Sequence, residues 1–239
     1  MPHAMIDTYA ARLEEALPLV RERIHRAADL AGRAAGAVRL VAVTKSHPLA
    51  ALEAALAAGL RDLGENRVEE LEEKVRALGG AGGPTWHLIG HVQSRKARRA
   101  MELADLVHSV DSARLGEKMS RLAAEDGRTV AVLAQVNTSG EESKSGFAAE
   151  EAVERIHELA ESPGVDVRGL MTMAPLVDDE AVLAGTFGRL REIHERLRGV
   201  TDGVGPELSM GMTNDLEIAI REGSTMVRIG TALFGERAT

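Results

Sequence analysis

Lys45 closes the apolar run Leu40-Val41-Ala42-Val43-Thr44, and an amine at the mouth of a buried strand is suited to nucleophilic chemistry. Where water is scarce the charged ammonium is disfavoured, and the free base is the form that attacks a carbonyl. That is what a lysine needs in order to form a Schiff base. A second set lies far along the chain, in Ser209-Met210-Gly211-Met212-Thr213 and Gly223-Ser224-Thr225-Met226-Val227-Arg228-Ile229-Gly230-Thr231. Glycines admit an anion close to the backbone, hydroxyls donate to it and one arginine adds charge, so Ser209, Gly211, Thr213, Arg228, Gly230 and Thr231 suit a phosphate.

Each of these has a plainer reading. Lys45 could be a surface lysine beyond a strand, and the hydroxyls could be helix caps. Lys144 is the rival amine. His87, within Trp86-His87-Leu88-Ile89-Gly90, reads more readily as a hydrogen-bonded core histidine than as a catalyst. Asn66 and Asn137 end strands, where they could bind a ring substituent or start a helix. Arg95-Lys96-Ala97-Arg98-Arg99 could meet an anionic partner, but with Glu102 and Asp105 following it reads as a solvated helix face. The histidines are scattered, so no metal site is expected, and without cysteine there is no thiol chemistry or disulfide.

Positioning such groups requires a repeating frame. From residue 40 onward short apolar runs alternate with longer stretches of helical period, the pattern of βα units around a parallel sheet. Strands are expected at 40–43, 62–64, 86–89, 106–110, 130–136, 167–171, 207–210 and 226–229. Helices are expected at 48–58, 67–78, 96–104, 112–125, 149–161, 179–198 and 214–222. Eight parallel strands close into a barrel, α/β in class, whose chemistry gathers on the loops after the strands. Lys45, Asn66, Gly211 and Gly230 all fall on such loops. Ahead of the barrel, 6–34 reads as one amphipathic helix in which Pro18 marks a place for a break. The expectation is a single domain over 1–239, with 1–36 as a helical extension packed on the barrel and the glycine-rich 79–84 as a loop within it.

The bulk composition fits. In 239 residues, 29 Lys and Arg against 37 Asp and Glu give a net charge of -8, which argues against nucleic acid or an anionic membrane as a partner. No run approaches membrane-spanning length and residues 1–14 lack signal-peptide character, so a cytoplasmic location is expected.

In their order along the chain, several segments resemble one known family. They are Val41-Ala42-Val43-Thr44-Lys45, Gly64-Glu65-Asn66-Arg67-Val68-Glu69-Glu70, Trp86 through Lys96, Val136-Asn137 through Phe147, Gly169-Leu170-Met171-Thr172-Met173-Ala174-Pro175, Leu208 to Met212 with Asp215, and Gly223 through Gly235. These resemble the YggS-like, or PROSC-like, pyridoxal phosphate homeostasis proteins. The resemblance implies a barrel like the N-terminal domain of alanine racemase (fold type III), with pyridoxal 5'-phosphate held as a Schiff base on Lys45. It further implies that Ser209, Arg228, Gly230 and Thr231 hold the phosphate, with Asn66 near the ring. Whether Arg228 meets the phosphate or the pyridine nitrogen stays open. Arg95 and Thr213 stand where the family often has Asn and Ser.

A racemase needs acid and base groups on both faces of the cofactor, and alanine racemases take a tyrosine from an added β-domain of a partner subunit. Here the only tyrosine is Tyr9, in the N-terminal helix. The function that the resemblance implies is a carrier, expected to be monomeric, that buffers pyridoxal phosphate or delivers it to dependent apo-enzymes, without strong turnover and with no catalytic residue assigned. An amino-acid racemase using His87, His91 or Lys144 is the alternative, and a lysine aldolase or phosphate-ligand barrel without pyridoxal is a third reading.

Overall fold

A computed structural model describes residues 2–78, 83–141 and 144–236. Of the sequence features above, Gly79-Gly80-Ala81-Gly82 and Glu142-Ser143 lie outside the described residues. Helix α1 (Pro2–Leu30) runs unbroken through Pro18. The single helix read from the sequence is there, and the break for which Pro18 marked a place does not occur. Proline removes one backbone donor, but Pro18 is exposed, so the carbonyl released one turn earlier faces water. Meanwhile Leu13, Leu17, Val20 and Ile24 bury the opposite face.

The barrel follows as β1 (Arg39–Val43), α2 (Leu49–Ala57), β2 (Asp62–Glu65), α3 (Val68–Leu78), β3 (Thr85–Leu88), α4 (Ala97–Leu103), β4 (Leu106–Val110), α5 (Ala113–Asp126) and β5 (Val130–Asn137). A two-residue strand β6 (Phe147–Ala148) precedes α6 (Ala152–Ala160), β7 (Val165–Met171), α7 (Glu180–Val200), β8 (Val204–Ser209), α8 (Leu216–Arg221), β9 (Met226–Ile229) and α9 (Thr231–Phe234). The strand order is β4-β3-β2-β1-β9-β8-β7-β5, and β4 pairs with β5. All these pairings are parallel. The ring is closed, so all eight strands are paired on both sides. Strand β6 has no counterpart in the sequence reading. It pairs with the end of β5 through Val136 and Phe147, and a two-residue strand is too short to show a period.

Helix α1 packs on α2, α8 and α9. The main core lies between strands and helices, with Leu52, Leu63, Leu71, Leu88, Met119, Ile156, Leu170 and Phe187 fully buried. A separate small cluster of Val41, Leu106, Leu133, Met171 and Met226 sits inside the ring. Gly169 permits the closest strand contact, since a Cβ there would lie 1.9 Å from the Glu207 carbonyl oxygen; its φ of 147° also lies outside the range of L side chains. The pairing of β7 with β8 shifts register at this point.

Candidate functional site

At the C-terminal end of the barrel a cavity of about 360 Å³ is lined by Lys45 after β1, Asn66 after β2, Arg228 on β9, and Gly230 and Thr231 after it. The loops 173–176 and 212–215 complete the wall. Its size falls in the roughly 300–1,000 Å³ range of small-ligand sites. With Thr213 in the second of these loops, six of the sequence candidates converge on one opening.

Depth follows from register. Arg228 pairs with Val41, below the strand end that carries Lys45, whereas Gly230 and Thr231 lie beyond β9 at the rim. Arg228 is 4% exposed and forms part of the floor. Its Nη1 donates to the Ser209 carbonyl and to Ser209 Oγ, both at 2.7 Å, and its Nη2 donates to the Thr172 carbonyl at 3.0 Å. Burial pulls the guanidinium down to about 10, with Asp215 opposing, so it stays cationic at neutral pH. Asp215 in turn accepts from the Met212 N–H at 2.5 Å, shaping the loop at the cavity wall.

Ser209 is placed differently from the other candidates. It is fully buried and is not among the residues lining the cavity. Its hydroxyl meets His108 Nδ1 at 2.9 Å as well as Arg228. The side chain therefore supports Arg228 from below, and the hydroxyls that face the opening are those of Thr213 and Thr231. Asn66 is exposed on the rim. Its backbone lies so close to Gly90 that a Cβ there would sit 2.2 Å from the Asn66 carbonyl oxygen, which leaves glycine as the only residue that fits.

The remaining candidates stay outside the cavity. His87 is fully buried and hydrogen-bonded to His108 at 2.8 Å and to Asp62 at 3.0 Å. His91 meets Asp111 at 2.8 Å. Asn137 donates to the carbonyls of Glu141 and Lys144 within its own loop, and Lys144 pairs with Glu141 at 3.4 Å. Arg98 pairs with Glu125 and Asp126, and Arg99 with Glu72 and Glu102, as a solvated helix face does. Among the described residues no three His, Asp or Glu side chains gather as metal ligands.

The sequence reading missed the network that holds the Lys45 turn. Ser46 has a φ of 62° and is the one described non-glycine residue with positive φ. Its N–H donates to Glu70 Oε1. Lys74 ties this carboxylate to the strand ends: its Nζ reaches Glu70 at 3.0 Å, Glu65 at 2.7 Å and the Thr44 carbonyl at 2.8 Å. Thr44 Oγ1 donates to Glu65 at 2.5 Å. Both neighbours of Lys45 are therefore fixed through one buried ammonium. The i, i+4 spacing of Glu70 and Lys74 was the only local trace of this network. Because a left-handed serine costs about 1–2 kcal/mol, Ser46→Gly should raise unfolding free energy by about 1 kcal/mol in urea titrations; a loss of stability would show that the turn is not strained.

Comparison with known proteins decides the family. The family described as alanine racemase, N-terminal domain, matches residues 11–238. A pyridoxal phosphate homeostasis protein of Pseudomonas aeruginosa is 42% identical over 226 residues, covering 94% of this chain and 96% of that protein. The chain belongs to the pyridoxal phosphate homeostasis protein family. Another family member, from Aquifex aeolicus, is 38% identical over 223 residues, 93% of this chain and 97% of its own. Among solved structures, PipY of Synechococcus elongatus with pyridoxal phosphate bound is 39% identical with a TM-score of 0.79, covering 90% of this chain and all of that one. Pyridoxal phosphate is thus the cofactor of this family, and the cavity's donors fit it: one amine, two hydroxyls, a glycine backbone and a buried arginine.

Two buried histidines of this family member give it an acid limit. His108 lies well below the ordinary 6.5, from burial first, then from His87, Arg228 and Arg39; burial likewise lowers His194. Below pH 6.5 the unfolded chain gains protons that the folded chain refuses. Stability should therefore fall with pH from that point, by about 1.4 kcal/mol per pH unit for each such group. Urea midpoints taken from about pH 7.5 to about pH 5.5 measure the slope; His194→Gln should make it shallower, and an unchanged slope would contradict the assignment.

Proposed function

We propose that this protein holds pyridoxal phosphate covalently on Lys45 and releases it again, buffering the cofactor or delivering it to apo-enzymes, without strong turnover of an amino acid. When bound, the cofactor supplies an aldehyde with which the Lys45 amine condenses to a Schiff base, losing one water. The chain's own residues do the rest. The Glu70–Lys74–Glu65 network fixes the backbone on both sides of Lys45. Thr213, Gly230 and Thr231 offer hydroxyl and backbone donors at the rim, where a phosphate keeps part of its hydration. Arg228 presents charge from the floor, and Asn66 stands beside Lys45 for the ring.

The single observation that carries the reading is the convergence of Lys45 with Arg228, Gly230 and Thr231 on one cavity. Carriage is favoured over racemisation by the character of the lining. It contains one amine and, among the described residues, no imidazole or phenol; Tyr9 is turned to His47, at 3.0 Å. Delivery to a partner is supported by the exposed apolar side chains of Met173, Leu176 and Met212 around the opening. The proposed setting is cytoplasmic and the proposed state monomeric. No described helix is long and apolar enough to cross a membrane.

The test is an assay with L- and D-amino acids in deuterated water on protein loaded with pyridoxal phosphate. The expected result is deuterium exchange at the α-carbon no faster than with free cofactor, together with transfer of the cofactor to a dependent apo-enzyme. Fast exchange that disappears in Lys45→Ala would establish the racemase instead.

A further inference from the structure

We propose that Asp62, His87, His108 and Ser209 are positioning residues for Arg228, forming a one-way hydrogen-bond relay through the barrel core that fixes the guanidinium at the cavity floor. The direction follows from the two ends, a guanidinium that can only donate and a carboxylate that can only accept. Arg228 has no acceptor, so Ser209 Oγ must accept from Nη1 at 2.7 Å. Its single hydrogen then goes to His108 Nδ1 at 2.9 Å. With Nδ1 accepting, His108 carries its proton on Nε2 and donates to His87 Nδ1 at 2.8 Å. His87 is left with its own proton on Nε2, which it donates to Asp62 Oδ1 at 3.0 Å. The last member is a carboxylate, which accepts only.

A hydroxyl has two acceptor lone pairs, so the order is set from the other end: the ionised Asp62 takes its hydrogen from His87 Nε2, which leaves Nδ1 of a neutral His87, and then Nδ1 of a neutral His108, as acceptors. With both imidazoles neutral, reversing any link between Ser209 and Asp62 reverses the others, and the Asp62 carboxylate cannot donate. An extra proton on either imidazole would add a second buried cation near Arg228 and take away the acceptor of the Ser209 hydrogen, in a place where both histidines and Ser209 are fully buried. The surrounding charges agree with this direction: Arg39 lies 3.8 Å from Asp62 and 3.4 Å from Glu207, and Asp215 stands by Arg228. The relay reaches the opposite end of the barrel, where His87 lines a second cavity with Arg39, Asp105, Arg168 and Glu207.

The consequence for the site lies in the geometry of Arg228. Three of its five N–H groups are spent on Ser209 and Thr172, and this clamp aims the remaining two. If Ser209 loses its acceptor at His108, the hydroxyl turns and one of the three points is released.

Two measurements separate this inference from the cofactor reading on which its second half rests. The first uses the ligand-free protein, where imidazole nitrogen NMR near neutral pH should show the proton on Nε2 in both His87 and His108. Asp62→Ala should release the His87 tautomer while Asp62→Asn, which still accepts, keeps it. A proton on Nδ1 of either histidine, or an imidazolium at neutral pH, overturns the relay whatever the protein binds. The second is the dissociation constant for pyridoxal phosphate, which His108→Leu should weaken by about tenfold while His108→Gln, with both an acceptor and a donor, recovers most of it. Equal affinities in folded His108→Leu and wild type would overturn the positioning role.

Discussion

Lys45→Ala is expected to abolish covalent capture of pyridoxal phosphate. In the wild type, borohydride added after loading should leave one pyridoxyl group, mapped to the peptide containing Lys45; in the variant no label should appear. The reason is that Lys45 supplies the only amine in the cavity lining among the described residues. Lys144 is held in its own loop by Glu141. Non-covalent contacts to Thr213, Gly230, Thr231 and Arg228 survive in the variant, so binding should weaken without vanishing, by about a hundredfold, or about 2.8 kcal/mol. Label recovered on Lys144 in the wild type, with none at position 45, would defeat the assignment of the anchor.

Lys74→Met should be the most destabilising change near the site, at about 3–5 kcal/mol. Lys74 is 5% exposed and Glu65 0%, and the ammonium serves three oxygens at once. Removing it strands a buried carboxylate whose Oε2 already has no hydrogen-bond partner among the described residues. Burial pushes the Glu65 carboxyl upward, with Lys74 opposing, so without Lys74 the carboxyl takes up a proton at still higher pH. For a chain of this length the loss corresponds to roughly 6–20 °C in Tm, read by calorimetry. Adding Glu65→Gln should recover part of it, because the buried charge is then gone. A drop below about 1 kcal/mol in the single variant would show that the buried pair does not hold the Lys45 turn.

The two predictions divide along a line that runs through the whole molecule. Lys45, Asn66, Gly230 and Thr231 could be placed at the opening from the sequence because each comes just after an expected strand, and in a parallel barrel every such corner meets at one end. Chain order carried that information, as it carried the eight strands. Ser209 was legible as a residue of the site but not in its role. Whether the last side chain of a strand faces the opening or the interior depends on register, and here it faces His108 and Arg228.

Pro18 and the relay show what the sequence could not decide. A proline within a helical period predicts a break only when no packing outweighs one lost hydrogen bond, and α1 is pressed onto α2, α8 and α9. His108 and Ser209 stand 101 residues apart, and Asp62 and His87 stand 25 apart; no local spacing links them, and only closure of the ring sets their side chains in line. The sequence by itself determined the repeating frame and the place of Lys45 at the barrel mouth, because both are written in neighbouring residues. Tertiary structure alone decided which buried polar groups satisfy one another, because hydrogen bonds form between atoms brought within about 3 Å, and that distance is a property of the closed barrel.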